Sequence, residues 1–470
     1  MNGKDLLLGM SFLSDELVQE ADTQPLKKSL SRWKWVGLAA CLCLILGAGA
    51  VLGGLSVGMD TAAPESSVFD NEFSLEYGAG GILSDSPLYS ENSIASQING
   101  AASENCAVTL TDFGLRLVRT AHTEEKNTLI SPLSVAFALG MTANGAQGET
   151  LAQMENTLGI SADTLNLWLR DYSDSLPDTD GGRLLPANAI WYRNGGLQVN
   201  DVFLRANEKY YHADIRASGF DQETLKEINS WVNDNTKGMI PSILNQIDPD
   251  AVMYLVNALA FEAEWASVYR EDQVYRDIFT TAGGDERTLE FLHSQEQAYL
   301  ENENATGFIK YYKDHHYAFV ALLPKEDTTV AQLLESLDGP SLNALLASPE
   351  DVAVFASIPK FKTEYSVELS GILQKMGMEL PFDQSQADFS GIGDPVNGTN
   401  IYISQVIHKT FLQLDEQGTR AGAATAVAMY ANGALMEAKY VDLNRPFVYM
   451  LLDVENGLPF FIGCMADPEV

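Results

Sequence analysis

Two periodicities interleave along residues 104–470. TLTDFGLRLVRTA (109–121) and SPLSVAFALGMTA (131–143) repeat apolar positions at helical spacing. AVMYLVNALAF (251–261), YAFVALLP (317–324), AVFASIPKFK (353–362) and RPFVYMLLD (445–453) are β-rich apolar runs and predict strands. No second linker interrupts them, so 104–470 predicts one large domain of mixed α+β class. Upstream the pattern changes. In residues 1–34, Leu6, Met10, Leu13 and Leu17 recur at helical spacing, which predicts a tail with a short amphipathic helix. Residues 60–103 are rich in Ser, Ala, Gly and Glu without Lys or Arg, and read as an acidic flexible linker.

Between tail and linker, Trp35–Met59 is a run of 25 uncharged residues. As a helix it would span roughly 37 Å, enough for a hydrocarbon layer of about 30 Å. Lys27, Lys28, Arg32 and Lys34 precede it, and the next basic residue is Arg116. The charge asymmetry predicts an uncleaved transmembrane signal anchor at 35–59, a cytoplasmic tail, and an extracellular or cell-surface domain. Secretion after cleavage at Ala48-Gly49-Ala50 is the alternative.

Composition narrows the function. Hydrophobic residues make up 46% of the 470 and aromatics 9%, which marks a globular chain. With 29 Lys and Arg against 64 Asp and Glu, a net charge of −35 argues against nucleic acid as a partner. Of the four cysteines, Cys41 and Cys43 lie in the apolar run. Cys106 and Cys464 remain, so a single bridge stays open but no disulfide framework is expected. The literal G-x-S-x-G at 54–58 (GLSVG) ends the apolar run and lacks the strand-turn-helix setting of a hydrolase nucleophile. No P-loop, H-E-x-x-H or Cys-x-x-Cys occurs. Neither an enzyme nor a cofactor or metal is expected.

One segment is anomalous. EQGTRAGAATAVAMYANGALMEAK (416–439) is dominated by small residues. Thr419, Ala421, Ala423, Thr425, Val427 and Met429 share one parity without a charge, while Arg420 falls on the other. That is the pattern of a segment able to enter a sheet. Polar residues inside apolar surroundings also stand out: Ser131 and Ser134 in NTLISPLS, Asn257 in YLVNALAF and His408 in ISQVIHKTF. Each must find hydrogen-bond partners, in one shared network or separately.

Read in order, NTLISPLS, MTANGAQGET, INSWVNDNTKGMI, VNALAFEAEW, IPKFK, LQKMGMELPFDQSQADFSGI, VIHKTFLQLDEQGT and RPFVYMLL resemble the motifs of the serpin family. The resemblance covers 104–470. It implies a large central, mostly antiparallel sheet with two smaller sheets, surrounding helices and an exposed reactive-centre loop. It further implies a monomeric suicide-substrate inhibitor of serine proteases, with cysteine proteases as a secondary class. A non-inhibitory binding or chaperone-like protein on the same fold is the alternative.

Carried over by motif, Ser131, Ser134, Asn257 and His408 fall on the family's shutter and Trp265 on its breach. Glu416, Gly418, Thr419, Ala421, Ala423 and Thr425 fall on the loop hinge. The scissile bond is expected among Tyr430, Ala431, Asn432, Gly433, Leu435 and Met436. The absence of Lys or Arg from Ala421 to Ala438 points to elastase-like, subtilisin-like or chymotrypsin-like targets. FEAEW replaces the usual F-K-G-x-W and casts doubt on a turn there.

Overall fold

The computed structural model describes residues 38–49, 100–179, 181–418 and 438–468. The tail at 1–34 and nearly all of the 60–103 linker lie outside these residues. Local chemistry sets the element borders. Ser131 caps the Pro132–Ala143 helix by accepting from the Ser134 N–H, and proline opens the first turn, where its missing N–H costs nothing. Asp221 and Thr224 form a reciprocal cap on the Gln222–Asn235 helix.

The central sheet has six strands: β1 (Leu38–Gly49), β2 (Gly182–Arg193), β3 (Asp214–Ser218), β4 (Ala251–Ala263), β5 (Phe361–Glu368) and β6 (Asn400–Leu414). Their spatial order is β5-β6-β1-β4-β2-β3, and every pair except β2–β3 is antiparallel. A nine-stranded sheet includes Tyr317–Pro324, Phe447–Asp453 and Leu458–Met465, and a two-stranded sheet pairs Leu197–Val199 with Gly393–Pro395. The fold is thus of the mixed α+β class expected from the motifs.

The apolar run departs from expectation. Residues Leu38–Gly49 form strand β1 in the middle of the central sheet, not a membrane-spanning helix. Among the described residues no helix is long and apolar enough to cross a membrane. The reason is that a run apolar at both parities suits lipid and equally suits a strand covered on both faces. The sheet supplies such a place. On one face Leu42, Leu44 and Leu46 join the core containing Leu133, Phe137 and Leu259. On the other, Cys41, Cys43 and Ile45 pack with Trp191, Ile228, Trp231 and Val232 under the Gln222–Asn235 helix. Burying Leu42, Leu44, Ile45 and Leu46 contributes roughly 1.5–3 kcal/mol each before the cost of ordering the chain. Where the register slips after Ile45, the Ser404 hydroxyl donates to the Ile45 carbonyl at 3.1 Å and satisfies the irregularity.

Candidate functional site

The polar residues singled out above occupy one connected chain beneath the strands β4, β1 and β6. The Ser131 N–H donates to His408 Nε2 at 3.1 Å, and the Ser131 hydroxyl accepts from the Ser134 N–H at 3.1 Å. Ser134 Oγ donates to Asn257 Oδ1, and Asn257 Nδ2 donates to Asn188 Oδ1 at 2.9 Å. Asn188 Nδ2 closes the chain on the Tyr211 carbonyl at 2.8 Å. All five side chains are buried. The network joins the Pro132–Ala143 helix to three strands of the sheet. Asn188 was not anticipated, although a lone Asn in the apolar run LLPANAIWY carries the same signal as Asn257.

Burial lowers the His408 pKa to about 3, so the imidazole is neutral and Nε2 serves as acceptor. The Cys41 backbone of β1 opposes that shift, and Nδ1 is buried without a hydrogen-bond partner among the described residues. The four cysteines are free and buried, so Cys106 and Cys464 are not bridged.

At the top of the same gap the hinge is fastened. The Trp265 N–H donates to the Gln417 carbonyl at 3.1 Å, and its indole N–H donates to the Asp415 carbonyl at 3.0 Å. The Tyr269 N–H donates to the Glu416 carbonyl at 3.0 Å. Trp265 stacks on Tyr312 with ring centroids 4.4 Å apart, and Lys310 Nζ lies 5.2 Å from the indole centroid. Burial pulls the Lys310 pKa down, but Tyr269 and the Glu296 carboxylate, 2.8 Å away, outweigh it and hold the ammonium charged. The Glu416 carboxylate accepts from Lys360 at 2.7 Å, and Lys360 also reaches Glu290 at 3.0 Å. Gly418 adopts φ +106°, and a Cβ there would stand 2.7 Å from both the Ala263 carbonyl oxygen and the Trp265 nitrogen. Only glycine fits so close an approach.

Lys310, Lys360 and Tyr269 went unnoticed in the sequence. Lys310 was legible as the one charge within FIKYY, whereas the Lys360–Glu416 pairing spans 56 positions and carries no local signal. The departure at FEAEW falls at the end of β4, where Ala263 continues the strand instead of a turn. Thr419, Ala421, Ala423, Thr425, Tyr430, Ala431, Asn432, Gly433, Leu435 and Met436 lie outside the described residues.

The family model described as Serpin (serine protease inhibitor) matches residues 108–468. This chain belongs to the serpin family. It is similar to an uncharacterised serpin-like protein of Thermococcus kodakarensis, 29% identical over 77% of this chain and 85% of the relative. It is also similar to the leukocyte elastase inhibitor of Xenopus tropicalis, 30% identical over 78% of this chain and all of the relative (100%). Among solved structures, the thermophilic serpin tengpin in its native state matches with a TM-score of 0.72 and 42% identity, covering 77% of this chain and 94% of tengpin. Tengpin in its latent state matches with a TM-score of 0.70 and 43% identity, covering 78% and 98%.

Proposed function

We propose that the chain inhibits serine proteases as a suicide substrate. The attacking serine oxygen bonds to a loop carbonyl carbon, the scissile C–N bond breaks, and the new amine leaves with the serine's proton. The freed loop then enters the central sheet before water cleaves the ester. The observation that carries this reading is the hinge: Gly418, the last described residue before the loop, is bridged to Glu264 just beyond the end of β4. Thr419, Ala421, Ala423 and Thr425 are small and uncharged, as an inward-turning parity requires.

The loop has no basic residue between Ala421 and Ala438, which favours elastase-like, subtilisin-like or chymotrypsin-like targets. The similarity to a relative named leukocyte elastase inhibitor agrees with that preference. An extracytoplasmic location belongs to the same reading and rests on the basic cluster before Trp35 and the acid-only linker.

A second reading, a serpin-fold protein that binds without inserting its loop, is favoured by one observation: the space between β4 and β6 is taken by β1. The test is to incubate the chain, with and without residues 1–59, with elastase, subtilisin and chymotrypsin. An SDS-stable complex with the summed mass of protease and inhibitor supports trapping. Cleavage without any such complex from either form would sink it.

A further inference from the structure

The position of β1 can be compared with the path of an entering loop. Gly418 is bridged to Glu264 on one side and to Asp415 on the other. Continued antiparallel from these bridges, the chain would bring Ala421 opposite Phe261 of β4 and Leu412 of β6. Leu38 already has both of those partners. The two neighbouring strands therefore give the same equivalence independently. By the same register Leu42, paired with Asn257 and His408, holds the place of Thr425.

Direction and parity also coincide. β1 runs antiparallel to β6, as a chain folding back from Gly418 must. Leu42 and Leu44 enter the core that also receives Val406 and Leu412, their parity mates on β6. Both edges of β1 are hydrogen-bonded, and Cys41–Leu46 are at most 2% exposed.

We propose that Leu38–Gly49 is a built-in occupant of the insertion slot, which holds the full chain in a state unable to insert its loop, so that trapping is enabled only when this segment leaves. The switch rests on the inhibitor reading above, whereas the occupancy itself is tested apart from it.

Two full-chain variants make the test. In Ile407→Cys the introduced thiol lies opposite Cys43, on the face both residues share, at a separation that antiparallel partners and disulfides have in common. In Leu42→Asp/Leu44→Asp, carboxylates must leave the core and take β1 with them. Mild oxidation should crosslink Ile407→Cys to Cys43, seen by non-reducing peptide mapping. The reactive loop is then nicked with a non-target protease. Nicking should leave the unfolding temperature of the unaltered chain nearly unchanged and raise that of the double variant by about 10 °C or more.

The double variant should also yield about tenfold more covalent complex with elastase than the oxidised Ile407→Cys chain. If the crosslink does not form, or if nicking stabilises the unaltered chain as much as the double variant, the occupancy is overturned whatever the inhibition assay shows. If crosslink and nicking behave as expected but no form traps a protease, the occupancy stands and the inhibitor reading falls, and the switch with it. The crosslink arm does not depend on the double variant folding.

Discussion

Leu42 is the backbone partner of Asn257 on one side and of His408 on the other, so an apolar residue of β1 separates two buried polar groups that belong to one hydrogen-bonded chain. The network connects them underneath, through Ser131 and Ser134. The sheet is consequently held together at its middle by two unlike means: a polar relay from the helix below, and an apolar strand in its own plane. That arrangement lets each be tested separately.

Ser134→Ala removes the hydroxyl that donates to Asn257 Oδ1. The acceptor stays buried without that donor, which costs about 1–3 kcal/mol. Chemical denaturation should show a lower midpoint with an unchanged slope. Ser134→Ala combined with Asn257→Leu should lose less than the two single changes together, because the orphaned acceptor is gone.

His408 gives a pH signature. Its folded pKa, lowered to about 3 by burial, lies below the ordinary imidazole value near 6.5. The unfolded chain therefore binds the extra proton between these limits. Its contribution to stability is fully present above about pH 6.5 and is lost progressively as pH falls toward about 3, by up to several kcal/mol. Denaturation midpoints measured against pH should show this slope, and His408→Gln should flatten it. An unchanged slope in that variant would assign the acid sensitivity to other groups.

The sequence was most legible where burial and period agree. YAFVALLP coincides with a strand at Tyr317–Pro324, and SPLSVAFALGMTA with a helix that starts one residue after its Ser131 cap. Ser131, Ser134, Asn257 and His408 were legible because a polar group inside an apolar run must be partnered. Leu38–Gly49 was misread for the opposite reason: with no polar position it carries no period, and only the tertiary gap between β4 and β6 decides between helix and strand. Lys360 and Glu290, 70 positions apart, meet only because the fold brings them together.

Gly418→Val tests the hinge. Besides the strain of φ +106°, the new Cβ would press on the Ala263 carbonyl and the Trp265 amide. The hinge should shift outward, breaking the bonds from Trp265 to Asp415 and Gln417. Trp265 is buried, so its emission should move to longer wavelength. Repeating the measurement in a Trp265→Phe background should abolish the difference.

Thr419 tests loop parity once the slot has been emptied by Leu42→Asp/Leu44→Asp. Continuing from the Gly418–Glu264 bridge, Thr419 comes opposite Ala263 and Leu414, both members of the main core. An arginine there would have to leave water for an apolar interior without a counter-charge, which stalls entry at its first step. Attack on the loop between Tyr430 and Met436 is more than ten residues away and should proceed at a near-normal rate. Water then reaches the ester first. Thr419→Arg is expected to be cleaved as an ordinary substrate, releasing active protease, with the covalent complex reduced by about tenfold or more, a difference of about 1.4 kcal/mol in the partition between trapping and turnover. Arg420→Gln is the matched control, because its side chain would share the opposite face with Glu262 and Gln413 and need not enter that core. Complex and cleaved product quantified on the same gel read both variants at once. Equal complex from the two would refute insertion in this register.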